Sequence, residues 1–221
     1  MAFTLSIDDS IKKAWPDTCL GCLTWSAAVK SSSPEFWQYF GEHTARKLEQ
    51  ELAQTPLPGL PGIGEARAAY KAFGVDTGKH RVSSEALYRR LRQGKALYRI
   101  NSVVDANNLV SLESGFSLGS YDAANLGESV TFRLGRPGEF YEGIGKAAIA
   151  LENMPLLADA AGPFGGPSSD STRAMITPDT TRGFTIIYSF SGREALRAAL
   201  ELTVERFSRF AATTTLEKFL V

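Results

Sequence analysis

The polar residue types best suited to binding and chemistry are concentrated in two segments of the chain. Residues 102–122 (SVVDANNLVSLESGFSLGSYD) carry the adjacent amides Asn107 and Asn108, and residues 161–171 (AGPFGGPSSDS) carry Asp170 among hydroxyl residues and glycines. If the two segments meet, amides, hydroxyls, backbone N–H groups and one carboxylate line a common pocket. Such a pocket would bind and orient a polar ligand, and the sequence offers no obvious nucleophile dyad or metal cage beside it.

Asp170 has two compatible interpretations. Its carboxylate either caps the Ser-Ser-Asp-Ser turn by accepting backbone N–H groups, the commoner use of aspartate in a loop, or takes part directly in catalysis. Nucleophilic catalysis has little support, because His43 and His80 lie far from any candidate nucleophile in sequence. Cys19 and Cys22 lack a second ligand pair for zinc and are expected to be small buried hydrophobes. The glycine-rich segments lack the lysine and hydroxyl of a phosphate loop, and no metal or organic cofactor is expected.

A local excess of positive charge offers a second kind of site. The whole chain is neutral, with 24 basic and 24 acidic residues, but residues 71–99 contain eight Lys or Arg against Asp76 and Glu85. Such a concentration either follows a phosphate backbone or is the solvated face of a helix, and no aromatic stacking pattern accompanies it. The best phosphate-binding candidates are Arg89, Arg90, Arg92 and Lys95.

A mixture of helices and strands must position these residues. Apolar and alternating runs predict strands at 3–7, 22–29, 129–134, 146–151, 174–177 and 184–190. Helical spacing predicts helices from Ser33-Pro34 up to the breaker run that starts at Pro56, and over 64–73, 83–93 and 102–114. A last helix is expected after a capping box formed by Ser191 and Glu194. Residues 115–122 are expected to form a turn-rich loop and residues 161–171 a tight loop.

Strands and helices without a regular alternation predict an α+β fold with a β-sandwich-like core of several short strands and flanking helices. The chain has 221 residues and 43% hydrophobic content, which is enough for one sizeable core, and we expect a single domain over 1–221. No apolar run approaches the length of a membrane span, and the N-terminus lacks the apolar stretch of a secretory signal. The cytoplasm is therefore the expected location.

Two further motifs lie between the two polar segments, GRPGE at 135–139 and YEGIG at 141–145. In this order and spacing, the four motifs resemble the editing domain of the phenylalanyl-tRNA synthetase beta subunit, also called the B3/B4 tRNA-binding domain. The similarity covers about residues 81–190. It implies an editing-domain-like core there, with residues 1–80 packed on it and residues 191–221 forming a C-terminal helix and tail. With no synthetase catalytic or anticodon-binding module, the chain looks like a free-standing relative of that domain.

The resemblance implies a pocket that accepts the aminoacylated end of a tRNA and hydrolyses the ester when the amino acid is wrong, using positioned water and backbone groups. Asn107 falls where the family commonly has threonine, and Asn108 matches its asparagine; with Asp170 they are the predicted catalytic residues. The four basic candidates above are the predicted tRNA-binding residues. The predicted substrate-binding residues are Ser117, Gly119, Ser120, Phe164, Gly165, Gly166, Ser168 and Ser169.

Two positions depart from the family pattern. Gly119 falls where the synthetase has a histidine, and Pro167 falls where it has the glutamate associated with reading a tyrosine hydroxyl. A pocket without its hydrogen-bonding partner loses the discrimination that the partner provides, so we expect editing of an aminoacyl-tRNA other than one charged with tyrosine. Two alternatives stay open: a non-catalytic tRNA or amino-acid binding module, and a binder or hydrolase of a small metabolite.

Overall fold

The computed structural model describes residues 3–145 and 147–221 as layers of strands and helices. The strands are β1 (Thr4–Ile7), β2 (Cys19–Ser26), β3 (Ser117–Asp122), β4 (Ser129–Leu134), β5 (Phe140–Glu142), β6 (Ala148–Ala150), β7 (Pro155–Asp159), β8 (Gly162–Gly165), β9 (Arg182–Ser189) and β10 (Thr214–Leu220). The helices are α1 (Asp9–Ala14), α2 (Pro34–Tyr39), α3 (Arg46–Gln54), α4 (Ile63–Ala72), α5 (Ser83–Arg92), α6 (Ser102–Ser114) and α7 (Arg193–Ala211).

Within the described residues, two four-stranded sheets share one hydrophobic cluster and so face each other. The first sheet has the order β1-β4-β7-β8, with β1 parallel to β4 and the other pairs antiparallel. The second sheet, β10-β2-β9-β3, is antiparallel throughout. Strands β5 and β6 form a separate hairpin. The predicted α+β class with a sandwich-like core is confirmed.

The second sheet is the middle layer, because both of its faces are covered. Leu20 and Cys22 of β2 belong to the cluster shared with the first sheet, whereas Leu23 and Trp25 pack with residues of α6 and α7. A strand buried on both faces is apolar throughout rather than alternating, which accounts for the sequence CLGCLTWS. Cys19 and Cys22 are buried and not disulfide-bonded, in agreement with the expectation that they serve as small core residues.

The helices of the first half lie close to their predicted positions. The Ser33 hydroxyl accepts from the Phe36 N–H at 3.2 Å, and Pro34 follows in the first turn, as the sequence predicts for a helix start. A π-helical segment, Phe40–Ala45, joins α2 to α3. Asn101 caps α6 by accepting from the Val104 N–H at 2.9 Å. The sequence therefore positions these elements to within a few residues.

Four predicted segments differ in the structure. Residues 117–122 and 162–165, expected within loops, are the strands β3 and β8, because β9 and β7 pair with their backbones. Residues 174–177, expected as a strand, begin at the last residue of the 3-10 turn Thr172–Ala174 and lie outside the sheets. The strand expected over 146–151 is the shorter β6, and Lys146 itself lies outside the described residues.

The start and the end of the C-terminal region also differ from prediction. The prediction of a capping box formed by Ser191 and Glu194 is wrong. Helix α7 begins at Arg193, and its N-cap residue is Gly192, which has a φ of 82° and no side chain that could cap the helix. The residues after α7, expected to be a tail without regular structure, form a strand. This strand, β10, pairs with β2 at the edge of the middle sheet. β10 is largely exposed and polar, so its sequence carries no burial pattern that would predict a strand.

Gly183 lies against the ring of Trp25, so alanine at this position should destabilise the middle sheet. A Cβ at position 183 would lie 1.9 Å from Cζ2 of Trp25, whose buried Nε1 donates to Thr185 Oγ1 at 2.8 Å. Because the ring cannot move without losing this bond, Gly183→Ala should lower the free energy of unfolding by roughly 1–3 kcal/mol in urea denaturation. Gly41→Ala, where a Cβ meets no atom within 4 Å, is the control and should change it by less than about 1 kcal/mol. Equal stabilities would contradict this account.

Candidate functional site

Asp170 is fixed by a chain of tyrosine hydroxyls. The hydroxyl of Tyr121 donates to Asp170 Oδ1 at 2.7 Å, and the hydroxyl of Tyr188 lies 2.8 Å from that of Tyr121. Because Tyr121 has one hydroxyl proton, which goes to Asp170, Tyr188 must donate to Tyr121. The Gly166 N–H donates to the same carboxylate oxygen at 3.2 Å. The loop-capping interpretation of Asp170 is therefore confirmed, and a direct chemical role is compatible with it.

The neighbouring loop residues are held in the same way. We call residues 166–171 the Asp170 loop. Tyr70 shares a hydrogen bond of 2.8 Å with the Ser168 hydroxyl, and Tyr141 donates to the Ser169 carbonyl at 2.7 Å. Ser168, Ser169 and Asp170 thus each have a tyrosine partner, and all three remain partly exposed. The loop is a rigid, partly accessible surface rather than a flexible connection.

The surroundings keep these tyrosines protonated. Burial raises the pKa values of Tyr121 and Tyr188 well above the usual value near 10, and the negative charge of Asp170 raises both further. Burial also raises the pKa values of Tyr70 and Tyr141. At neutral pH all four phenols are therefore hydrogen-bond donors, and none is a candidate phenolate nucleophile.

Helix α5, itself joined to β3, and the β5–β6 hairpin position the Asp170 loop from outside. At the start of α5, the Ser83 N–H donates to the Pro167 carbonyl at 2.6 Å. The next residue, Ser84, donates its N–H to the Ser117 hydroxyl of β3 at 3.1 Å. From the β5–β6 hairpin, the Ile144 N–H donates to the Asp170 carbonyl at 3.0 Å. Helix α5 is therefore joined directly to the loop and to the edge strand of the middle sheet.

The structure does not bring the two predicted polar segments into one pocket. Asn107 accepts from the Ser120 hydroxyl at 2.9 Å and donates to the Leu118 carbonyl at 3.3 Å, and Ser120 in turn contacts Thr185. Ser120 and Tyr121 are consecutive residues of β3, so their side chains point to opposite faces of the sheet. Asn107 is therefore separated from Asp170 by the middle sheet, which corrects the expectation of a shared pocket. Asn108 is half-buried on α6, beside Asn107.

The predicted glycine wall is filled by a tyrosine rather than left open. A Cβ at Gly119 or at Gly165 would lie 2.1 or 2.4 Å from the Tyr121 hydroxyl. Phe164 is fully buried and meets the Tyr121 ring edge-on at 5.0 Å between centroids. Gly119, Phe164 and Gly165 thus surround Tyr121 as part of the core, while the buried Gly166 lies against the backbone of Pro155 and Leu156. The expectation of an open pocket beside these residues is corrected. The accessible part of the predicted set is the polar tip of the Asp170 loop.

The predicted basic residues lie on and just after α5, around a buried carboxylate. Glu85 Oε1 accepts from Arg67 at 3.0 Å and from Arg89 at 2.9 Å, and Arg81 lies 4.0 Å from it. Glu85 is completely buried while these arginines reach the surface. One carboxylate thus organises three guanidinium groups and leaves a net positive charge. The basic surface, as we call it, consists of the solvent-accessible side chains of residues 81–98 together with that of Arg67.

An aromatic ring that sequence reasoning missed lies in the basic surface. The guanidinium of Arg90 stacks over Tyr98 at 3.8 Å from the ring centroid. A cavity of about 280 Å³ has both in its lining, together with Arg89 and Lys95, whereas Arg92 lies exposed outside the lining. The sequence shows no aromatic stacking pattern in the charge cluster, and the structure adds one ring to it, that of Tyr98. The proximity of Tyr98 to the cluster along the chain was the available signal.

In the described part of the chain, no group of three or more His, Cys, Asp or Glu side chains is placed to hold a metal ion. None of the described helices combines the length and apolar character needed to cross a membrane. A cavity of about 510 Å³ lies at one end of the sandwich, lined by Phe3, Trp25, Asp122, Arg182 and Leu216 among others. It contains none of the predicted site residues.

Comparison with known proteins supports the resemblance drawn from the motifs. The model of the B3/4 domain family matches residues 65–220. The crystal structure of an N-terminal fragment of the phenylalanyl-tRNA synthetase beta subunit from Pyrococcus horikoshii is similar over 100% of this chain, with a TM-score of 0.52 and 12% sequence identity. This chain spans 55% of that fragment. No curated protein matches. The predicted relationship to that domain is confirmed.

The buried tyrosines predict a loss of stability at alkaline pH. Because their pKa values are raised in the folded state, the unfolded chain releases phenolic protons first as the pH rises, so the free energy of unfolding falls above about pH 10. Tyr188→Phe removes one of these phenols, so its free energy of unfolding should fall less steeply with pH than that of the wild type, by up to about 1.4 kcal/mol per pH unit. Urea denaturation between pH 8 and 11 measures it, with Tyr98→Phe at an exposed site as the control. Parallel curves for wild type and Tyr188→Phe would contradict the assignment.

Glu85 should contribute to stability through its arginine partners. Glu85→Ala removes the buried acceptor shared by Arg67 and Arg89, and we expect the free energy of unfolding to fall by roughly 1–3 kcal/mol. The loss should persist at high salt, because a buried group is poorly screened. Glu65→Ala, at an exposed position of α4, is the matched control and should stay within about 0.5 kcal/mol of wild type. Equal denaturation midpoints for both variants would exclude the organising role.

Proposed function

This chain belongs to the B3/4 domain family, and on that premise we propose that it binds tRNA along α5 and hydrolyses the ester of a wrongly charged aminoacyl-tRNA at the Asp170 loop. The observation that carries the proposal is the position of α5. Its first turn is hydrogen-bonded to Pro167 of the loop and to Ser117 of β3, and its last turn carries Arg89, Arg90 and Arg92. A single rigid helix therefore connects a phosphate-binding surface to a partly exposed carboxylate.

Electrostatics favour binding of a polyanion at this surface. Glu85 is shared by three arginines, so they retain an excess charge of about two, to which Arg90, Arg92 and Lys95 add three. Because the whole chain is neutral, the attraction is local. Binding to a phosphate backbone through such residues releases counterions and must weaken steeply with salt.

The proposed chemistry needs one water and one carboxylate. Asp170 accepts a proton from the water as the water oxygen attacks the ester carbonyl; the carbon–oxygen bond to the ribose then breaks, and the ribose oxygen takes up a proton. The products are free amino acid and tRNA. Tyr121 and Gly166 hold the carboxylate in place through Oδ1, so the geometry of attack is set by the loop. Ser168 and Ser169 lie beside Asp170 to contact the amino acid or the water.

A second candidate is a tRNA-binding module without hydrolysis. One observation favours it: the Tyr121 hydroxyl fills the space beside Gly119, where the related synthetase domain is expected to have a histidine. Pro167 likewise offers no polar group. In this case the Asp170 loop recognises the end of the RNA but releases nothing.

A deacylation assay against a panel of correctly and wrongly charged tRNAs distinguishes the two candidates. The wild type should release one class of amino acid selectively. Asp170→Asn preserves the shape of the side chain and should lower release at least 100-fold, the typical contribution of a general base, while tRNA affinity stays within about twofold. Replacing Arg89, Arg90 and Arg92 by alanine should weaken binding and lower the salt slope by roughly 0.7–0.9 per lost phosphate contact.

The matched control for the arginine variant is replacement of Arg193 and Arg197, two exposed arginines of α7, which packs on the opposite face of the middle sheet. It should leave affinity and salt slope unchanged. Salt-sensitive binding without release would favour the binding module. Absence of both would reject the tRNA proposals and direct attention to small ligands of the 510 Å³ cavity.

A further inference from the structure

Tyr98 is an exposed aromatic residue held at a defined position in the basic surface. The residue is 56% exposed, and the guanidinium of Arg90 lies over one face of its ring, 3.8 Å from the centroid. Arg90 is itself fixed, because its Nε donates to the Ala96 carbonyl at 2.5 Å. The pair is therefore ordered before any ligand arrives, which lowers the entropy cost of binding. An exposed ring of this kind gains little from its position unless something packs on it.

The cavity beside this pair has an unusual set of lining groups. Its volume is about 280 Å³, and its ionisable lining residues other than Tyr98 are all cationic. Gln93 adds an amide, and Ala86 and Leu87 supply an apolar floor. The carboxylate of Glu85 is buried beneath and is bonded to arginine, so it does not oppose an anion in the cavity. The complete lining is Arg81, Ala86, Leu87, Arg89, Arg90, Gln93, Lys95 and Tyr98.

We infer that this cavity is a subsite for one unpaired nucleotide, whose base stacks on Tyr98 and whose phosphate is held by the surrounding arginines and Lys95. The inference rests on the proposed function and names the part of the RNA that α5 recognises. The combination of a flat ring, an apolar floor and several cations matches the two parts of a nucleotide. An acidic peptide or inorganic phosphate would satisfy the cations but leave Tyr98 without a role.

The base must be unpaired, because a base inside a duplex has both faces covered by its neighbours. Recognition by stacking tolerates any base, since every base has a π-face. Within the subsite, the Arg90–Tyr98 pair lies at the last turn of α5. Given a rise of 1.5 Å per residue, it is roughly 10 Å along the helix from Ser83, which contacts the Asp170 loop. The two sites can therefore bind one continuous strand, with the nucleotide on Tyr98 some distance from the strand's end at the loop.

The test uses a single-stranded RNA hexamer with 2-aminopurine at a central position, whose fluorescence is quenched when the base stacks. Wild-type protein should bind the hexamer and quench the probe. Tyr98→Ala should weaken binding roughly tenfold or more, the effect of removing a stacked base, and abolish the quenching. Tyr98→Phe keeps the ring and should stay within about twofold of wild type. Because neither change alters a charge, the salt slope should stay constant, whereas Lys95→Ala should reduce it.

The outcomes separate this inference from the tRNA proposal. Absence of hexamer binding, equal affinity of Tyr98→Ala and wild type, or equal displacement of the hexamer by a polyglutamate peptide would overturn the subsite. If charged tRNA is bound and deacylated while Tyr98→Ala has no effect, the proposed function stands and the subsite fails. If the hexamer binds through Tyr98 but tRNA is neither bound nor deacylated, the subsite stands and the proposed function fails. Tyr98 is exposed, so its variants should fold normally, which their thermal midpoints would check.

Discussion

The hydrogen bond from Tyr121 to Asp170 links the two sheets, since Tyr121 belongs to β3 of the middle sheet and Asp170 follows β8 of the other. A carboxylate at such an interface is costly unless donors satisfy it. Tyr121, backed by Tyr188, and the Gly166 N–H provide those donors. The glycines at 119 and 165 follow from this arrangement, because any side chain there would collide with the Tyr121 ring or hydroxyl. Packing and the position of the candidate site thus depend on one contact.

Helix α5 connects the Asp170 loop to the basic surface. Its first turn is fixed by the Asp170 loop and by β3, and Glu85 within it gathers arginines from α4, from the preceding loop and from α5 itself. The cations therefore occupy defined positions relative to the loop, in contrast to the random spread of a merely solvated face. This is the geometry that binding of a charged polymer and chemistry at its end would require.

Much of the fold could be predicted from local sequence pattern. The helices α2 to α6 and the strands β1, β4 and β9 lie close to their expected ranges, because apolar periodicity and caps such as Ser33-Pro34 act over a few residues. β8 and β10 could not be predicted. β8 is a short glycine- and proline-containing segment, and β10 is an exposed polar edge, so both depend on backbone pairing with strands that only the tertiary structure supplies.

For the candidate site, the sequence by itself determined the residue types, the charge excess and the motif order that indicated the family. The tertiary structure alone decided which of those residues meet. The side chains of consecutive strand residues point to opposite faces of a sheet. Ser120 therefore contacts Asn107 on one face of the middle sheet, and Tyr121 contacts Asp170 on the other. The same limit applies to Tyr98: its contact with Arg90 depends on how the chain turns after α5, and that turn is fixed by hydrogen bonds such as the one from Arg90 to the Ala96 carbonyl.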